Sequence, residues 1–71
     1  MFRVYYTFVI YDEKEEVVTY SEKSYYELDT NEMPTGEQCR KEVMRLATKH
    51  LDKKEFTISH ANYYRLEEIK K

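Results

Sequence analysis

The sequence predicts an α+β domain of ββαβ order, with a three-stranded antiparallel sheet arranged 2-1-3 and one amphipathic helix across one face. Three observations lead there. Residues 2–11 form a block dense in β-branched and aromatic residues that alternates at period two. Cys39, Val43, Leu46, Ala47, His50 and Leu51 recur at i, i+4, i+7, i+8, i+11 and i+12, the stripe of a helix packed on one side. Thr35-Gly36-Glu37-Gln38, with capping-box spacing, separates the two patterns. With 71 residues, one glycine and one proline, residues 1–71 make a single domain with little linker.

In the first strand Phe2, Val4, Tyr6, Phe8 and Ile10 share one face. Arg3, Tyr5, Thr7, Val9 and Tyr11 share the other. Apolar character on both faces places this strand in the middle of the sheet, because at an edge it would invite aggregation. Asp12 to Glu16 interrupts the pattern with charge, and Val17-Val18-Thr19-Tyr20 resumes it as the second arm of a hairpin. No Asn-Gly or Asp-Gly fixes the turn. A three-residue loop Glu13-Lys14-Glu15, which sets Ile10 opposite Val18 and Phe8 opposite Tyr20, keeps the apolar faces together and is the preferred register. The polar run Ser21 to Ser24 predicts a bend or bulge before Tyr25-Tyr26-Glu27-Leu28.

The helix is expected from Gly36. Glu37 and Lys41 form an i, i+4 pair, and Lys49, Lys53 and Lys54 bring positive charge to the C-terminal end, which the macrodipole favours. Phe56-Thr57-Ile58 alternates again as a closing strand. Residues 61–69 continue it through a bulge near Asn62 in the favoured reading; a paired fourth strand or a short terminal helix are the alternatives. A core this small leaves a net stability of roughly 3–5 kcal/mol.

Most chemistry can be set aside. Cys39 and His50 lie eleven residues apart on one helix, roughly 16 Å at 1.5 Å rise, so they form no nucleophile–base pair. The chain's one cysteine and two histidines exclude a disulfide framework and a Cys/His zinc site, and Cys39 reads as a small buried side chain. His60, beside Phe56 and Ile58, reads as a core-edge histidine. Glu15-Glu16 and Glu67-Glu68 point to opposite faces when extended and make no paired-carboxylate site. One glycine cannot build a phosphate loop. The expectation is therefore no enzyme, no metal and no cofactor. The longest apolar stretch, Val4–Tyr11, falls far short of the roughly 20 residues that span a bilayer, and no basic segment precedes it. A reducing, cytoplasmic setting without membrane attachment is the expected location.

Charge and tyrosine carry the functional signal. Residues 12–32 hold eight acids and two bases, whereas residues 37–54 hold six bases and three acids. Lys41, Arg45, Lys49 and Lys53 recur every four residues, the spacing of a helix side that follows a phosphate backbone. The net charge of −2 and the acidic hairpin work against that use. Eight tyrosines without tryptophan are the sharper feature. One helix covers one face of the sheet, so Tyr5, Thr7, Val9, Tyr11, Tyr25 and Tyr63 are expected on the open face, where rigid rings with water-tolerant hydroxyls suit protein recognition. Homodimerisation through this face or through the closing edge strand is equally compatible with the small core.

The strand beginning at Phe2, the single hairpin-to-helix link, the Thr35-Gly36-Glu37-Gln38 cap and the charged tail Tyr64-Arg65-Leu66-Glu67-Glu68-Ile69-Lys70-Lys71 resemble the small accessory proteins of phages and prophages, including anti-CRISPR and related anti-defence inhibitors. That resemblance implies a binder that blocks a host or defence protein stoichiometrically, and it transfers no functional residue. The expected function is thus a non-enzymatic protein-binding module with an unknown protein partner. A nucleic-acid-binding helix face is the alternative.

Overall fold

A computed structural model describes residues 1–70. It contains β1 (Phe2–Asp12), β2 (Val17–Leu28), α1 (Gly36–Thr48) and β3 (Phe56–Glu68). The strands form one antiparallel sheet in the order β2-β1-β3. The helix lies across one face, so the expected ββαβ architecture is the observed one.

Period-two alternation in β1 converts directly into burial. Phe2, Val4, Tyr6, Phe8 and Ile10 are buried, and the residues between them are half-buried. Against this row α1 places Cys39, Val43 and Ala47, all buried, with Leu46 half-buried beside them. Phe56, Ile58, Ala61 and Tyr63 close the core from β3. Each fully buried large apolar side chain contributes roughly 1.5–3 kcal/mol, and these few must offset the ordering of the whole chain.

The helix starts at Gly36 as expected, because Thr35 is a complete capping box. Its Oγ1 accepts from the Gln38 backbone N–H at 3.1 Å, and its own N–H donates to Gln38 Oε1 at 2.8 Å. The other end is earlier than the apolar stripe implies. Thr48 Oγ1 donates back to the Met44 carbonyl at 2.8 Å, a local bond that competes with helix continuation. His50 and Leu51 then bond to carbonyls three residues back, those of Ala47 and Thr48. Two successive tight turns end the helix, so His50 and Leu51 reach the core from the turn after it.

The hairpin also differs from expectation. Asp12 pairs with Val17 and Ile10 with Tyr20, so the loop has four residues, Glu13–Glu16, and Thr19 is the extra residue of a β-bulge. Asp12 fixes the loop: its Oδ1 accepts from the N–H groups of Lys14 at 2.9 Å and Glu15 at 3.0 Å. Glu16 completes the turn with φ of 56°. Relative to the expected register β2 slides by two residues, which preserves faces and sets Glu22 opposite Phe8. The polar run Ser21–Ser24 accordingly continues the ladder without a break.

β3 is one strand, with no fourth strand or terminal helix among the described residues. Its register to β1 shifts at two places, leaving Ser59 and Tyr64 as extra residues on either side of Asn62. The molecule is elongated, 46 × 16 × 16 Å. The backbone of α1 approaches β1 and β3 but not β2, so β2 stands beside the helix and not beneath it. Among the described residues no helix is long and apolar enough to cross a membrane.

Candidate functional site

The open face is built outward from β1. Its alternate residues Arg3, Tyr5, Thr7, Val9 and Tyr11 point away from α1 and remain half-buried, with no helix or further strand over them among the described residues. Tyr5 pairs with Tyr25 on β2 and with Arg65 on β3. At the second β3 bulge, Tyr64 turns onto the same face. The Tyr5 ring then lies 5.7 Å from that of Tyr25 and 6.2 Å from that of Tyr64, tilted by 52° and 42°, an arrangement that avoids stacking like quadrupoles.

Three cations hold this cluster. The Arg3 guanidinium lies 4.5 Å from the Tyr25 ring centre, that of Arg65 5.3 Å from Tyr5, and the Lys23 ammonium 5.5 Å from Tyr64. Each is within the range at which the ring quadrupole attracts a cation. Two carboxylates orient the cations in turn. Glu27 accepts from Arg3 at 2.8 and 3.1 Å, while Glu67 accepts from Arg65 at 2.7 Å and from the Tyr5 hydroxyl at 3.3 Å. Hydrogen bonds to Tyr5 and Glu27 hold the Arg3 guanidinium above its ordinary value. Tyr25 and Tyr64 nevertheless stay 50% and 53% exposed. The result is a pre-ordered aromatic platform with charged walls.

Five of the six residues expected on this face are there: Tyr5, Thr7, Val9, Tyr11 and Tyr25. Tyr63 is not. It pairs with Tyr6 on the helix side, joins the core, and brings its hydroxyl beneath Gly36 at the start of α1. The Ser59 bulge is the physical reason: it inverts the alternation set by Phe56 and Ile58, so Ala61 and Tyr63 face the helix, and the Tyr64 bulge restores it from Arg65 onward. Tyr64, missed by strict alternation, takes the place assigned to Tyr63. Tyr11 lies six residues along β1 from Tyr5, roughly 20 Å, at the hairpin end and outside the aromatic cluster.

The helix cations are less available than their spacing suggests. Lys41 bonds to Glu37 at 3.2 Å, and Arg45 is paired with Glu42. Lys49 caps the helix C-terminus. Lys53 falls beyond the helix, with its ammonium 5.7 Å from the Phe56 ring, so the four do not form one helical row.

A second polar cluster occupies the helix side of β2. The Glu22 carboxylate accepts from the hydroxyls of Tyr6 at 2.6 Å and Tyr20 at 2.7 Å. His50 stacks on Tyr20, with ring centres 4.3 Å apart and planes 13° from parallel. The Tyr20 and Tyr6 hydroxyls, with His50 adding its field, hold the Glu22 carboxyl below its ordinary value. Burial, together with the same carboxylate, pushes Tyr6 up to about 12. Cys39 is buried and its thiol is pushed up by that burial, the opposite of an activated nucleophile. Among the described residues no three His, Cys, Asp or Glu side chains converge as metal ligands.

Comparison with known protein families, curated proteins and solved structures finds no match for this chain.

Proposed function

We propose that this protein is a non-enzymatic protein-binding module whose contact surface is the sheet face opposite α1, flanked by the acidic hairpin. The reading includes a phage-type mode of action, stoichiometric occupation of a host or defence protein. The observation that carries it is the Tyr5–Tyr25–Tyr64 cluster, in which two rings remain half-exposed although Arg3, Lys23 and Arg65 hold them in place. Rigid aromatic anchors interleaved with arginine are the residue types that dominate binding energy at protein interfaces.

The test is capture from nuclease-treated cytosol by tagged protein, followed by affinity measurement with the protein retained. Tyr25→Ala and Tyr64→Ala together should weaken that affinity by more than about 1 kcal/mol and leave the fold intact, since both rings are exposed. Undiminished affinity in the folded double variant removes the assignment of this face.

The alternative, nucleic acid along Lys41, Arg45, Lys49 and Lys53, has weaker geometric support because two of these cations are already ion-paired and the fourth lies off the helix. It requires binding that weakens steeply between about 50 and 200 mM salt. An oligonucleotide titration decides it.

A further inference from the structure

The two edges of the sheet are built differently. On β3 the ladder is interrupted twice, at Ser59 and Tyr64, and such bulges protect an edge from adding strands. On β2 the only irregularity is at Thr19, close to the hairpin. From Tyr20 to Leu28, nine consecutive residues pair with β1 without a shift, so the outer side of β2 presents a regular row of unpaired backbone groups roughly 30 Å long. No helix backbone approaches it. Its large side chains Val17, Val18, Tyr20 and Tyr25 are 39–58% exposed.

We propose that this edge pairs antiparallel with the β2 edge of a second copy of the chain, forming a continuous six-stranded sheet around a two-fold axis beside Ser24. The axis follows from symmetry and charge. A two-fold axis perpendicular to the sheet keeps both helices on one side and pairs residues of equal parity, so it must pass beside a single residue. At Glu22 or Lys23 it would set like charges opposite each other, which destabilises a ladder. At Ser21 it would run the pairing into the Thr19 bulge. At Tyr25 it would shorten the ladder and set Glu22 against Leu28.

At Ser24 the whole regular stretch pairs with itself. Tyr20 lies opposite Leu28 of the second copy, Ser21 opposite Glu27, Glu22 opposite Tyr26, and Lys23 opposite Tyr25. No like charges are opposed, and an apolar pair closes each end. The open faces of the two copies become one surface, with two aromatic clusters in a row.

The test is molar mass by light scattering across a concentration series, with wild-type protein and two charge variants of the exposed Ser24. Twice the chain mass of 8.8 kDa is expected for wild type at high concentration. S24K and S24D each put like charges at the axis and should be monomeric while keeping the wild-type circular dichroism spectrum. An equimolar mixture of the two should recover the dimer, because Lys and Asp then face each other. A wild-type mass of 8.8 kDa at every concentration overturns the proposal and leaves the edge to a strand of another protein. A dimer that persists in both separate variants also overturns it, since the contact then lies elsewhere.

Discussion

Glu22 shows how one residue can tie an otherwise uncovered strand to the core. It stands opposite Phe8, where the alternation of β2 calls for an apolar side chain, and instead gathers the hydroxyls of Tyr6 and Tyr20. Because those bonds lower its pKa in the folded state, the stabilisation they bring is fully present above the ordinary carboxyl value and is lost as pH falls through the lowered one. Glu22→Gln should therefore cost roughly 1 kcal/mol at pH 7, below the usual contribution of a charged hydrogen bond because the site is only half-buried. Urea denaturation at pH 7 and pH 3 checks this: the deficit of the variant should shrink at the lower pH. A deficit independent of pH would assign the effect to packing and not to charge. Nothing in the sequence pointed to this cluster, because the expected register put Tyr20 opposite Phe8, a two-residue slide away from the register in which Glu22 occupies that place.

Among the elements, α1 has the clearest sequence signature, and its N-terminus packs closely on Tyr63. A Cβ added at Gly36 would sit 2.9 Å from the Tyr63 hydroxyl and 3.3 Å from an Arg40 guanidinium nitrogen, while the ring carbon behind the hydroxyl is at an ordinary 3.8 Å. Alanine is the better helix former, by up to roughly 1 kcal/mol in a helix interior. Gly36→Ala in the wild-type background should therefore lower the melting temperature, whereas in a Tyr63→Phe background the same change should raise it. Equal effects in both backgrounds would show that the hydroxyl does not set the spacing. The elements themselves were legible from the sequence because periodicity and capping are local: β1, the α1 start at Gly36 and the strand order all follow from residues close in the chain. Bulges are not local. Thr19, Ser59 and Tyr64 are ordinary strand residues, and what makes them extra is the spacing of the partner strand, which no single segment records. The open tyrosine face was therefore found with five correct members and one from the wrong side of β3.

On the scale of the whole molecule, the helix is short for its sheet. Thirteen residues extend roughly 20 Å along a body 46 Å long, and they cover two strands of three. The unpaired edge of β2 and the face around Tyr5 on β1 are both left uncovered by that helix. A second copy along β2 would add ladder bonds without requiring the helix to move. Its binding only to the folded chain makes stability depend on concentration: the melting temperature of wild type should rise with protein concentration, and that of S24K should not. Parallel behaviour of the two would separate stability from edge pairing.

The bulge at Tyr64 has a bearing on how this chain can change length. A residue that adds no rung to the ladder can be removed without moving any other pairing, so deletion of Tyr64 leaves Tyr63 beside Tyr6 and Arg65 beside Tyr5. Because Tyr63 and Tyr64 are adjacent and identical, loss of either gives the same chain. Surface and scaffold are therefore separable at this position: an insertion or loss of a single codon can add or erase one aromatic of the open face while the sheet keeps its count. Point substitution is not needed to retune such a face; the chain can do it by a change of one residue in length.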